Sequence, residues 1–444
     1  MNSSISVAIP SISNEFAADT VTLNWVATSY VLASVMFLIP FGKLADIYGR
    51  MRLFTYGFII YLLTAILAPF STSASLLIAS RFIQGIGGAM IFSTGVAIIT
   101  SVTPAAERGR ALGINSAIVY FGAASGPFFG GVLTQHFGWR SIFYANIPFC
   151  LLILFLAFWK LKERSKLGEE KINFGSSVIF SLCFLVIMYG FSLIPTVNGI
   201  LLITAGIIGF TYFFWREGRV KNPVVDIGLF RNNKAFAFSN MAVLISFMAT
   251  YAVAFLLSLY LQYIKGLSPQ TAGTVLMTQT IVQSVISPVA GVLADKFDAK
   301  RLASLGMGFK ALALSLFAFL GSKTPVGYVF AALIILGLGI GLFSTPNTYV
   351  IMSSVDKQYY GVSSATIATM RQSGNLLSMA VIMFIFALTI GRVEITPQHY
   401  DAFMLGLKSA FVVYGTLCCL GVFASLAGRS KATDAKVLER ETGA

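Results

Sequence analysis

The chain is 444 residues long, 57% hydrophobic and 11% charged, with a mean hydropathy of +0.82. Soluble domains carry about 25% charged residues, so a single aqueous core is excluded and the bilayer must act as the solvent. The formal charge of +14 would suggest nucleic acid on a soluble protein, but in a membrane chain it is first read as an insertion signal.

The chain opens on a short apolar stretch, residues 5–12, that contains Pro10 and is too short to cross a bilayer. It reads as the outer end of a first helix whose beginning is missing or lies upstream of Met1. Longer apolar runs follow at residues 23–41, 53–70, 76–100, 111–133, 141–159, 174–193 and 200–215. The rest lie at 235–263, 271–293, 302–320, 326–353, 362–390 and 403–427. Each suits a helix spanning about 30 Å of hydrocarbon. Fourteen helices are expected, the first of them truncated.

With the segment from Gly42 to Arg52 placed inside, roughly 23 of the 31 Lys and Arg residues fall on the cytoplasmic side. Arg140, Lys265, Lys323, Arg392 and Lys408 fall outside. Both termini are therefore predicted to be cytoplasmic, and nucleic acid is not needed to explain the charge. Cys150, Cys183, Cys418 and Cys419 lie within apolar runs and read as buried thiols without a disulfide role. His136 and His399 offer no metal-ligand spacing, and no cofactor is expected.

Gly42-Lys-Leu-Ala-Asp46-Ile-Tyr-Gly49-Arg50-Met-Arg52 recurs as Gly291-Val-Leu-Ala-Asp295-Lys-Phe-Asp-Ala-Lys-Arg301. Such parallel repetition builds transporters from two bundles. It predicts an N-terminal bundle at 1–160, two linker helices with their loops at 161–233, a C-terminal bundle at 234–430 and a tail at 431–444. The linker helices, without charge in their predicted spans, are expected to face lipid.

In the repeated segment, Gly42 and Gly49 permit a tight turn. Asp46 can pair with Arg50 or face a helix N-terminus, latching the cytoplasmic side; the plain alternative is a positive-inside loop. Arg81, with Gln84 and Gly85 behind it, stands in an apolar run, where an Arg is a functional candidate unless it snorkels to the surface. Gly113, Gly122, Gly126-Pro127 and Gly130-Gly131 lie on one run. Its glycines four apart make a close-packing stripe, and Pro127 bends it.

Arg371 and Asn375 share a helix face that is expected to look into a central cavity. Gln279 and Gln283 form a second polar pair, either path-lining or interhelical glue. The role of Lys310 stays open.

The segment Gly42–Arg52 resembles the cytoplasmic signature of the major facilitator superfamily. The spacing from Gly113 to Gly131 resembles the signature of its antiporter branch. Asn24-Trp25 with Tyr30, and Gly138-Trp139-Arg140 leading to Asn146-Ile-Pro148, are similar to the fourteen-helix drug:proton antiporter family. The resemblance covers essentially the whole chain.

It implies an all-α major facilitator fold with two six-helix bundles and two extra central helices. It places a cytoplasmic gate at Gly42, Asp46, Gly49, Arg50, Arg52, Asp295 and Arg301. It puts Arg81, Gln84 and Gly85 near the proton and substrate path, with Arg371, Asn375, Gln279 and Gln283 as further candidates. The implied activity is export of lipophilic or amphipathic small molecules from the plasma membrane by proton antiport with alternating access. The expected protein is a monomer whose partners are the substrate, the proton and the lipid bilayer. An uptake carrier or uniporter without proton coupling is the alternative.

One departure matters. The family usually supplies an Asp in the first helix, and none of the 17 Asp and Glu residues falls within a predicted span. The coupling group lies upstream of Met1, or is Asp46, or coupling is weak or absent. A path with Arg81 and Arg371, with or without Lys310, but no acid suits neutral, zwitterionic or anionic amphiphiles better than organic cations. No HExxH, Gly-x-Ser-x-Gly or P-loop pattern occurs, so neither an enzyme nor an ATP-driven pump is expected.

Overall fold

In lipid, only a structure that satisfies its own backbone N–H and C=O groups can cross. Among the described residues of the computed structural model (2–102, 108–160, 174–220, 227–355, 360–391 and 393–427), every regular element is helical. The helices are α1 (Asn2–Phe16), α2 (Thr20–Tyr48), α3 (Arg50–Leu67), α4 (Ala74–Val102), α5 (Arg108–Phe137), α6 (Ser141–Tyr144), α7 (Ile147–Lys160), α8 (Phe174–Ser192) and α9 (Val197–Glu217). They continue as α10 (Ile227–Asn232), α11 (Lys234–Thr250), α12 (Val253–Leu259), α13 (Pro269–Lys296), α14 (Ala299–Ala318), α15 (Val326–Ser353), α16 (Tyr360–Thr389) and α17 (Tyr400–Ala427).

Twelve helices among the described residues are long and apolar enough to cross a membrane. Beside them stand α5, 30 residues long, and α1, whose 15 residues reach only about 22 Å. The expected fourteen are therefore not all met: twelve membrane-spanning helices are found among the described residues.

Sequence chemistry sets the ends. The Asp19 carboxylate accepts from the Thr22 N–H at 2.9 Å and starts α2. Thr196 caps α9 and Asn233 caps α11 in the same way. Gly49, at φ +102°, ends α2 and starts α3.

Three expectations change. Gly42 lies inside α2, nearly two turns before its end, so only Gly49 makes the turn. α9 runs on through Arg216 to Glu217, so the linker pair does carry charge, and two carboxylates, Glu217 and Asp401, stand at the ends of membrane spans. Cys419 is exposed, whereas Cys150, Cys183 and Cys418 are buried and free.

The chain forms two compact units. The first comprises Met1–Val224, Ala254–Thr274 and Met379–Phe403. In it α2 packs on α4 and α8, α3 on α4 and α7, α1 on α5, and α8 on α9. α8 is less of a lipid helix than its sequence suggests: the Ser181 hydroxyl donates to the Met36 carbonyl at 2.5 Å. The second unit comprises Val225–Val253, Val275–Ser378 and Met404–Ala444, with α14 on α15, α11 on α15 and α10 on α11.

Candidate functional site

The α2–α4 crossing of the first unit is built on glycine. A Cβ on Gly85 would lie 2.4 Å from the Tyr30 carbonyl oxygen and 2.8 Å from Ala33 Cβ. The Ser34 hydroxyl donates to the Gly85 carbonyl at 3.3 Å. This approach carries the Tyr30 ring over Arg81, whose guanidinium carbon is 4.7 Å from the ring centroid. Arg81 Nη1 donates to Gln84 Oε1 at 2.6 Å. Arg81 and Gln84 are each 1% exposed, so the arginine does not snorkel. It is a fixed positive charge held between an amide and an aromatic face.

In the second unit, Arg371 and Asn375 of α16 lie on one face, and Arg371 stands 5.4 Å from the Phe247 ring centroid of α11. Asn375 Nδ2 donates to Gln372 Oε1 at 2.9 Å. Arg371 Nε and Asn375 Oδ1 are buried without a hydrogen-bond partner among the described residues. They leave one donor and one acceptor for a ligand or water. The backbones of Gln279 and Gln283 seat two glycines of α15. A Cβ on Gly337 would come within 2.5 Å of the Gln279 carbonyl, and one on Gly341 within 3.3 Å of that of Gln283. Lys310 is completely buried in α14, hydrogen-bonded to Ser246 and 3.9 Å from the Phe343 centroid.

The glycine stripe of α5 is used at one end. A Cβ on Gly130 would strike Ser4 of α1 at 2.6 Å, and one on Gly131 the Pro269 carbonyl at 2.4 Å. Gly273 of α13 returns the contact: its Cβ would lie 2.2 Å from the Pro127 carbonyl oxygen. Gly126 is buried, while Gly122 has nothing within 4 Å and is exposed. The surroundings of Gly113 lie outside the described residues.

The two copies of the repeated segment turn differently. Gly49 makes the first turn with its positive φ. At the matching place in the second copy, the Asp298 carboxylate accepts from the Lys300 N–H at 2.9 Å and lies 3.8 Å from Arg301 Nε. Arg301 and Arg52 are exposed, and Arg50 opens α3. Asp46 and Asp295 stand on α2 and α13, with side chains outside the described residues.

A cluster that sequence reasoning missed joins α1 to the α5–α6 turn. Arg140 donates to both Glu15 oxygens, at 2.7 and 2.6 Å, and its Nε donates to the Pro69 carbonyl at 2.8 Å. Trp139 Nε1 donates to Glu15 Oε2 at 2.7 Å, and Arg140 lies 4.4 Å from the Trp139 centroid. The hydrogen bonds from Arg140 hold the Glu15 carboxyl below the usual range; burial opposes them and Trp139 adds to them. Glu15 raises Arg140 in return.

Comparison with known proteins adds four findings. The family model described as Major Facilitator Superfamily matches residues 1–379. The riboflavin transporter RibZ of Clostridioides difficile (strain 630) is 32% identical over 420 residues, covering 94% of this chain and 91% of RibZ. Multidrug resistance protein Stp of Mycobacterium tuberculosis (strain CDC 1551 / Oshkosh) is 29% identical over 389 residues, covering 86% of this chain and 72% of Stp. A solved bacterial homolog to the human lysosomal transporter Spinster, in an inward-facing and occupied conformation, superposes with a TM-score of 0.64 at 18% identity. The match covers 96% of this chain and 92% of that one, a likeness of fold.

Proposed function

The chain belongs to the major facilitator superfamily, and we propose that it exports lipophilic or amphipathic small molecules in exchange for protons. It is a multi-pass membrane transporter with relatives that include a multidrug resistance protein. The observation that carries the export reading is the glycine–proline end of α5. Gly130, Gly131 and the Pro127 carbonyl pack closely against α1 and the start of α13. In this reading such contacts form and part as a rigid face, as two bundles rocking in alternating access require. In this reading the plasma membrane holds the protein as a monomer with both termini in the cytoplasm. Asp46, Arg50 and Arg52, with Asp295 and Arg301 in the second copy, latch the cytoplasmic side.

The fixed cation Arg81 and the open donor and acceptor on Arg371 and Asn375 favour neutral, zwitterionic or anionic amphiphiles over organic cations. The likeness to RibZ favours a second reading, a carrier for a planar neutral solute such as riboflavin without proton coupling. Proteoliposomes containing riboflavin, fluorescein or ethidium separate these readings. The expected outcome is pH-driven movement of the neutral or anionic dye. Preferential transport of ethidium would sink the substrate assignment. Downhill riboflavin flux unaffected by a pH jump would favour the second reading.

A further inference from the structure

Lys310 stands within α14 with no exposed surface. Its Nζ is hydrogen-bonded to the Ser246 hydroxyl of α11, lies 3.7 Å from Met307 Sδ and stands 3.9 Å from the Phe343 centroid of α15. α15 comes this close because a Cβ on Gly339 would lie 2.8 Å from the Lys310 backbone nitrogen. Among the described residues no carboxylate pairs with Lys310.

Its titratable neighbour is Cys418 of α17, within electrostatic reach. Tyr414 on the same helix donates its hydroxyl to the Ser378 carbonyl. α15 carries no Asp, Glu, Lys or Arg, and Lys234, the charged residue of α11, lies roughly three turns from Ser246. Lys300 and Arg301 stand at the start of α14.

A buried charge without a counter-charge is costly, and inside a membrane it marks function. This cage accepts two protonation states with its heavy atoms in place. The ammonium has three N–H groups, which meet a hydroxyl oxygen, a thioether sulfur and a ring face. The neutral amine offers a lone pair, to which the rotatable Ser246 hydroxyl can donate. A carboxylate would fix the charged form, and among the described residues none pairs with it. A guanidinium at this place could not give up its proton at all.

We propose that Lys310 is a proton-exchanging residue of the transport cycle. Nζ takes a proton from water in one access state. In the other state the N–H bond breaks, its electron pair stays on nitrogen, and the proton returns to water. This rests on the proton-exchange reading of the protein.

The first test needs no substrate. Thermal midpoints of the full-length wild type and Lys310→Met in detergent micelles are followed from roughly pH 5 to 9, where an unfolded lysine stays protonated. A wild-type-minus-variant difference that changes with pH is expected, because only a lysine that titrates in the fold makes it do so; a flat difference overturns the proposal.

The second test uses riboflavin in proteoliposomes. Lys310→Met and Lys310→Arg are expected to keep riboflavin counterflow within about twofold and lose pH-driven flux at least about tenfold. Pumping by either variant at the wild-type rate overturns the role of Lys310 alone. A wild type that exchanges riboflavin with no response to pH removes the antiport reading and the proposal with it. Where Lys310 variants fail to fold, Ser246→Ala must move the pH midpoint of transport, and an unmoved midpoint counts against the proposal.

Discussion

Arg81 on α4 and Lys310 on α14 are both buried cations beside glycine-rich helix crossings, and they are held in different ways. Arg81 rests on Gln84 and the Tyr30 face; Lys310 rests on a hydroxyl, a thioether and the Phe343 face. The backbones around them repeat. A Cβ on Gly87 would lie 2.8 Å from the Gly57 carbonyl and 3.1 Å from the Tyr61 nitrogen. In the second unit a Cβ on Gly339 would lie 2.8 Å from both the Gly306 carbonyl and the Lys310 nitrogen. One crossing therefore carries Tyr61 where its counterpart carries Lys310. The repeat preserves the close approach of helices and lets the chemistry diverge. One unit keeps a charge that cannot leave, and the other keeps one that can.

The largest effect that would break this contrast is at Arg81. Arg81→Ala is expected to lower transport to background, by about a hundredfold, and Arg81→Lys to recover little, since an ammonium lacks the planar fork. Initial rates in vesicles check this; wild-type-like rates in Arg81→Lys would make the two cations equivalent. Next is Asp46→Asn, expected to abolish export while insertion, measured by surface labelling, stays intact. Normal export by that variant would remove the latch.

A smaller effect tests the shared backbone. Gly85→Ala forces a methyl group against the Tyr30 backbone and should cost about 1–3 kcal/mol. Gly308→Ala, with nothing within 4 Å, should be neutral or gain up to about 1 kcal/mol. Thermal midpoints of the purified variants rank them, and equal midpoints would deny the crossing its role.

The smallest effect is at Glu15, on the exposed margin. Its folded-state pKa is lowered, so the stability it contributes is present above the ordinary value of 4.5 and is lost as pH falls through the folded value. Glu15→Gln should cost less than about 1 kcal/mol at neutral pH, and the gap from wild type should close in acid. A gap that widens in acid would contradict the pairing with Arg140.

Most of the fold was legible because each helix needs its own apolar run and its own cap. Residue periodicity and the Lys/Arg bias carry that information locally. The glycine stripe of α5 was legible too, but its use at Gly130 and Gly131 and its idleness at Gly122 were not, because they depend on what α1 and α13 bring. Burial of Arg81 was the reading from sequence and snorkelling its alternative; Tyr30, more than fifty residues away, decides between them. The Glu15–Arg140 pair spans 125 positions, and no periodicity marks it. α9 runs past its apolar stretch to Glu217 because the helix continues where hydropathy stops.

The central claim is proton-coupled export, and simultaneous measurement of dye and proton flux in one proteoliposome preparation tests it most directly. An imposed pH gradient should drive uphill movement of riboflavin or fluorescein, with protons moving the opposite way at a fixed ratio. Dye flux that only runs down its own gradient, with no proton signal, would contradict the account.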